Sequence, residues 1–483
     1  DGGVEVDYVS KNGKYIFALQ STIGSQTGQT SKKSILTYKF KKNIYKLINN
    51  LSTSGEASDI KKCLKKLKKK YKTGKVKDIT YTEAGTYSSS GSSNDQKIDP
   101  SQVPATVATF DAVTADFAVN MLKSVAAREG TDKNILISPD SIATALAMAE
   151  NGANGQTLQE MLNVLSPGMT LDEYCSNLGN FNTRVSSDKY VTMHIADSIW
   201  IKNSNDIKIK DTFIQKNKTT FNADSYLEPF TPETVGKIND WVNTNTNQMI
   251  PTIIDSIPED AFMYLINAIA FEGDWAKTFS DSQVASDQTF KNQDGTEGKV
   301  NMLNGKEYYY IELNNGVGFV KTYKGGNFAF VGILPPEGTT TVDYINGLKG
   351  KDFINAVLNK KTDKDVYIKL PEFKYDYSTS LKGDLGALGM PTAFTNSADF
   401  SNMIEYCKDP YQKIDDVIHK THIEVDKNGT KAAAVTAVVM ASATSLQNPR
   451  PTINIYLDRP FVYGIVDVNT GVPIFIGAVN KLG

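Results

Sequence analysis

The sequence predicts an α+β fold in two units, a small amino-terminal module and a large domain of about 370 residues. Three observations carry that expectation. The 483 residues exceed what one ordinary core accommodates. A stretch rich in Ser, Gly, Asn and Asp, TYSSSGSSNDQKIDPSQ at 86–102, interrupts the apolar patterning and reads as a linker. Beyond it, long helices precede many strands, without the regular βαβ alternation of a doubly wound sheet. The expected boundaries are therefore 1–85 for the module, 86–107 for the linker and 108–483 for the large domain.

Within the module, residues 14–19 and 36–40 alternate like strands, whereas Ile44, Leu47, Ile48 and Leu51 recur at helical spacing, so a small α+β unit is expected. A second helical stripe is made by Ile60, Leu64, Leu67 and Tyr71. It lies within a run holding ten lysines between Lys61 and Lys77, giving one apolar face on a strongly cationic helix. The plain reading is a helix docked by its stripe with solvated lysines; the functional one is a surface for a polyanion such as a heparin-like chain, nucleic acid or anionic membrane. Past the linker, residues 116–127 present Phe117, Val119, Leu122 and Val125 on one helical face, and 141–148 form a second apolar-faced helix. Strands are expected at 190–202, 263–271, 327–334, 365–373, 421–425, 452–457, 461–466 and 474–478.

Composition excludes more than it selects. Hydrophobic residues make up 40% and charged ones 22%, and Lys+Arg 52 against Asp+Glu 54 gives a net charge of -2, with no global nucleic-acid signature. Cys63, Cys175 and Cys407 are scattered, which fits neither a disulfide framework nor a zinc site. No apolar run is long enough for a membrane-spanning helix, and the Asp-Gly-Gly start reads as a mature or trimmed one. GxSxG, GxxxxGK, HExxH and EF-hand patterns are all missing. The GDLGALG string (383–389) lacks GxGxxG spacing and follows no expected strand directly. Of the three histidines, His194, His419 and His422, the last two stand three apart in a strand and so face opposite ways. Neither a metal nor a cofactor is expected.

Five further stretches change the reading. NILISPDSIATALAMAENGANGQTLQEML (134–162) places Ser138, Pro139 and Ser141 in a Ser-Pro-x-Ser junction, and INAIAFEGDWAKTF (266–279) carries Asn267, Phe271, Gly273, Trp275 and Phe279. LPEFKYDYSTSLKGDLGALGMPTAF (370–394) and VIHKTHIEVDKNGTKAAAVTAVVM (417–440) follow, and DRPFVYGIVDVNTGVPIFIGAV closes the chain. In content and order these resemble the serpins, over residues 108–483. The resemblance implies a serpin fold: a large central mixed sheet, further sheets, about eight to nine helices and an exposed reactive-centre loop. Residues 1–85 match nothing in that family. Asparagine- and lysine-rich composition suggests a microbial source, and the family suggests a secreted or cell-surface monomer, with a cytoplasmic one left open.

It also implies an inhibitor and not an enzyme. A target serine protease acylates itself on the loop, and the freed segment inserts into the central sheet; serpin loop insertion is itself a standard example of strand addition and of released strain. A cysteine protease is a second class of target. The segment GTKAAAVTAVVM (429–440) suits insertion chemically. With Thr430 inward, Ala432, Ala434 and Thr436 follow it inward, Ala433 faces the other way, and the single charge, Lys431, falls on the solvent side. Burying a dozen such residues releases on the order of 10 kcal/mol or more. The hinge is Gly429-Thr430, and the family's spacing places the bait bond at Ala443-Thr444, with Met440, Ala441, Thr444 and Leu446 as neighbouring registers. A small residue there suits elastase-like or subtilisin-like enzymes.

By resemblance, Ser138, Ser141, Asn267 and His419 form a hydrogen-bonded shutter beneath the strands that part, and Trp275 sits at the top, in the breach. One departure stands out: Lys427 replaces the usual acidic residue two positions before the hinge glycine, with Asp426 just ahead. A non-inhibitory serpin, a carrier, chaperone or scaffold, is the alternative, although its hinge would normally carry bulky, charged or proline residues.

Overall fold

The structure is a computed structural model that describes residues 4–9, 15–22, 32–41, 44–53, 109–430 apart from 205, 409 and 410, and 450–483. The chain divides into two compact units, Asp1–Gln102 and Val103–Gly483.

The first unit contains an antiparallel meander of β1 (Val4–Val9), β2 (Tyr15–Thr22), β3 (Lys32–Lys41) and β4 (Ile44–Thr53). The helix expected from Ile44, Leu47, Ile48 and Leu51 is therefore a strand. The pairing explains the deceptive spacing: Tyr38 pairs with Leu47 and Thr37 with Asn49, so the register shifts at Ile48 and the apolar residues fall out of simple alternation. The lysine-rich run between Lys61 and Lys77 and the linker lie outside the described residues.

The second unit begins with helices. α1 (Phe110–Glu129) is capped by the Thr109 side chain and terminated by Gly130 at φ 67, a conformation glycine adopts without strain. β5 (Ile135–Ile137) leads into α2 (Pro139–Glu150), which starts with proline at its first position and is buried along its whole length. α3 (Gly155–Leu165) and α4 (Leu171–Ser186) follow, α4 opening with a Thr170/Glu173 capping box. Next come β6 (Val191–Lys202), β7 (Ile207–Ile209), α5 (Asp211–Phe221), β8 (Asp224–Glu228), α6 (Pro232–Asn245) and β9 (Met263–Asp274). Strands β10 (Val284–Lys291), β11 (Glu297–Glu307), β12 (Tyr309–Leu313), β13 (Gly316–Thr322) and β14 (Phe328–Leu334) precede α7 (Thr341–Asn346) and α8 (Gly350–Leu358). The chain closes through β15 (Asp365–Pro371), β16 (Phe373–Ser380), α9 (Lys382–Leu388), β17 (Ile404–Cys407), β18 (Ile414–Val425), β19 (Gly429–Thr430), β20 (Thr452–Tyr456), β21 (Phe461–Asp467) and β22 (Pro473–Val479).

Three larger sheets result. The central one is mixed and six-stranded, in the order β16-β18-β19-β9-β6-β8; a second joins β12-β13-β14-β21-β22-β5, and a third β10-β11-β15-β20. The strands β14, β21 and β22 of the second sheet read as largely apolar runs because both faces are covered, and β21 and β22 are buried throughout. Residues 365–373, expected as one strand, are instead two. Glu372 breaks the run, donating its N–H to Asn301 O, and the chain passes from the third sheet into the central one. The Gly383–Gly389 string does follow a strand, β16, but it is wound into α9, where Asp384 accepts from Ser124 and Arg128. Among the described residues there are nine α-helices, none long and apolar enough to cross a membrane, and no cluster of metal-binding side chains.

Candidate functional site: the seam between β9 and β18

Strands β9 and β18 run parallel and pair directly from Met263 to Ala270, with His419 opposite Asn267. Beneath this seam stands the amino-terminal end of α2. The Ser138 N–H donates to His419 Nε2 at 3.1 Å, so that nitrogen is the acceptor and Nδ1 carries the proton, which it donates to Asn267 Oδ1. Asn267 Nδ2 then donates to Ser141 Oγ (2.5 Å) and to Asp197 Oδ1, and the Ser141 hydroxyl donates to the same carboxylate oxygen (2.7 Å). One polarity runs through the whole chain of bonds.

Ser138, Ser141, Asn267 and His419 are thus brought together and buried, although Ser138 joins through its backbone, its hydroxyl having no partner. Asp197 was missed. Its signal was present: a single carboxylate in the apolar run Ile195–Trp200 of β6 has to be satisfied by something. Burial holds the His419 imidazole down at about 3, so it is neutral, and burial raises the Asp197 carboxyl well above the usual carboxylate range against the opposing pull of the Ser141 hydroxyl. Asp140, next along α2, is pushed up to about 7 for the same reason. With the imidazole uncharged, the seam is held by hydrogen bonds and not by an ion pair through His419.

The top of the seam is built differently. β18 turns at Asp426, whose carboxylate accepts from the N–H groups of Asn428 (2.6 Å) and Gly429 (3.0 Å), and β19 then slots between β18 and β9. A Cβ on Gly429 would stand 2.1 Å from Gly273 O, so only glycine permits this approach. Thr430 is buried with its hydroxyl 2.6 Å from Tyr323 Oη, and Tyr323 stacks on Trp275 at 4.6 Å. Trp275 Nε1 donates to Asp426 O (2.9 Å), and its backbone N–H donates to Asn428 O (2.8 Å). Lys321, buried against the Phe279 and Trp275 rings, is paired with Glu307 (2.7 Å); burial lowers its pKa. Lys427, the residue at odds with the resemblance, pairs with Asp281 at the surface, while Asp426 serves the turn.

His422 faces away from His419, as its spacing predicts, and bonds Asp376 (2.5 Å). Ala432, Ala433, Ala434, Thr436, Ala443 and Thr444 lie outside the described residues.

The family model described as Serpin (serine protease inhibitor) matches residues 112–482. The chain belongs to the serpin family. That description is one of inhibitors and not of enzymes. This serpin is 30% identical over 378 residues to Iripin-8 of Ixodes ricinus, an alignment covering 75% of this chain and 91% of that one. It is 30% identical over 397 residues to neuroserpin of Homo sapiens, covering 78% and 93%. Among solved structures, the thermophilic serpin tengpin in its native state matches at 36% identity and a TM-score of 0.72, over 81% of this chain and 96% of that one. In its latent state tengpin has the same identity and a TM-score of 0.66, over 81% and 100%. The paired β9–β18 seam therefore sits in a serpin with the higher likeness to the native form.

Proposed function

We propose that this serpin is a suicide-substrate inhibitor of serine proteases, elastase-like or subtilisin-like, which traps the acyl-enzyme by inserting its cleaved loop between β9 and β18. The observation that carries the reading is the state of the seam. Among the described residues, β9 and β18 are paired with each other below, and only Gly429 and Thr430 stand between them above. A strand continuing from Thr430 replaces that pairing with two new ladders, and the run KAAAVTAVVM has the small inward residues such a strand needs. Ser138, Ser141, Asn267 and His419, with Asp197, are read as the latch on the seam, and Trp275 as the lintel over its upper end.

In the step proposed, the protease serine Oγ attacks the Ala443 carbonyl, the Ala443–Thr444 amide breaks, Thr444 leaves with a free amino group, and Ala443 remains esterified to the enzyme. Insertion then carries the ester and the protease away before water hydrolyses it. Cysteine proteases form the corresponding thioester. The wider reading is a secreted or cell-surface monomer, with residues 1–85 as a separate module, 86–107 as linker, and the lysines from Lys61 to Lys77 offered to a polyanion.

Mixing the protein with an elastase-like and a subtilisin-like protease, followed by denaturing gels and amino-terminal sequencing of the released fragment, tests this. The expected result is a denaturant-resistant complex with a fragment beginning near Thr444. Cleavage without a complex replaces the reading by a non-inhibitory serpin, and ester hydrolysis with an intact chain replaces it by a hydrolase.

A further inference from the structure

The third sheet sets two rows of side chains across β11, β15 and β20. Lys306, Tyr367 and Asn454 are in register in one row, and Asn304, Lys369 and Tyr456 in the next. Val366, Ile368 and Leu370 are buried, so strand alternation puts Tyr367 and Lys369 on the outer face. Lysines lie against the rings: Lys306 is 5.6 Å from the Tyr367 centroid and Lys369 4.7 Å from that of Tyr456. At the edge of this face, in the turn before β15, Lys360 lies over Tyr309 (5.2 Å) and Lys364 over the buried Tyr310 (5.0 Å), and Tyr308, just after the end of β11, is 74% exposed.

The face is positive without being uniformly so. Asp365 pairs with Lys306, Glu312 with Lys361, and Asp363 accepts from the Tyr310 hydroxyl, whereas Lys360, Lys364 and Lys369 make no ion pair among the described residues. The chain returning from the bait loop is pinned here: Arg450 donates to Thr362 O (3.3 Å), and Pro451 O accepts from the Asp365 N–H (2.8 Å). The segment from Thr444 to Pro451 reaches at most about 28 Å when extended. That length keeps a protease bound at the bait bond within reach of these strands.

We propose that this lysine–tyrosine face is a second docking surface for the target protease, receiving an acidic surface beside that enzyme's cleft. The inference rests on the inhibitor reading and names its partner's charge. Half-exposed tyrosines give rigid, amphipathic contact area, and the unpaired lysines steer an acidic partner toward the loop. Tyrosines and carboxylates interleaved with the lysines make this a protein interface and not a continuous track for an anionic chain.

The test is the association rate constant with a subtilisin-like protease that is acidic around its cleft, measured at about 50 and about 300 mM salt for the full chain and for the double variant Lys364→Glu/Lys369→Glu. Thermal midpoints check that both proteins are folded, and Tyr367→Ala supplies a variant without charge change. The expected result is a rate that falls with salt in the parent, an approximately 10-fold slower rate in the double variant at low salt, convergence at high salt, and an unchanged yield of complex. Equal rates at both salts overturn the docking surface while leaving the inhibitor intact. Absence of any complex in the parent overturns the inhibitor reading and this inference together. Acceleration by heparin in the parent that the double variant loses, with no difference between them in its absence, reassigns the face to a polyanion and overturns protease docking.

Discussion

The same two strands are joined in two ways. At the centre, β9 and β18 meet over a closed set of buried hydrogen-bonded groups, Ser138 N–H, His419, Asn267, Ser141 and Asp197, in which each acceptor depends on a neighbouring strand or helix. At the top, Gly429 and Thr430 already separate the strands, and what closes the gap is the Trp275–Tyr323 stack and backbone bonds. Breaking the centre leaves several polar groups unpaired in a dry interior, whereas extending the top only moves a strand end forward. In the proposed mechanism the barrier to insertion thus belongs to the centre, and the direction of insertion belongs to the top.

Removing His419 is the severest way to break that contrast. His419→Leu leaves the Ser138 N–H and the Asn267 carbonyl oxygen unpaired, and the expected loss of native stability is about 2–5 kcal/mol, read from the denaturant midpoint. The opposite result, an unchanged midpoint, would place the latch elsewhere.

An acid at the far end of α2 sharpens the comparison through pH. Glu150 is buried with neither carboxyl oxygen bonded, and burial pushes it up to about 8. An acid whose folded pKa lies above its unfolded 4.5 contributes no penalty below that value, and stability then falls as pH rises toward 8. Glu150→Gln is expected to flatten the decline between pH 5 and pH 8 and to be more stable than the parent at pH 9 by on the order of 4 kcal/mol. Thermal melts of both proteins across that range decide it. His419 acts in the reverse sense, since its folded pKa is depressed: its contribution is lost as pH falls from the imidazole range toward 3.

At the top, Thr430→Arg puts a charge into the buried site beside Tyr323. The expected outcome is continued cleavage of the loop with complex formation reduced at least about 10-fold, measured by band densities on denaturing gels. Trp275→Phe keeps an aromatic ring over Tyr323 but loses the bond to Asp426 O, for an expected cost of about 1 kcal/mol in a denaturation series. The smallest effect is expected from Lys427→Glu. Its partner Asp281 is exposed, so the midpoint of melting should move by no more than about 2 °C.

Much of this site was legible before any coordinates. The Ser-Pro-x-Ser junction, Asn267, Trp275 and Gly429 sit in contiguous motifs, and the resemblance of those motifs to serpins singled them out. Asp197 was not legible as a partner because its role depends on β6 lying beside β9, with Asp197 opposite Asn267 across 70 residues of chain. The helix expected over Ile44 to Leu51 failed for a related reason: a bulged strand and a helix can share one apolar spacing, and only the neighbouring strand distinguishes them.

From its sequence alone, the chain's α+β class, its break into two units and its family resemblance could be derived, since these rest on composition, periodicity and ordered motifs. Tertiary structure decided which oxygen or nitrogen meets which, that Ser138 acts through its backbone, that Asp426 and not Lys427 shapes the turn, and that lysines and tyrosines from three strands share one face. These are relations between residues far apart in the chain, set by register and packing, and no local pattern encodes them.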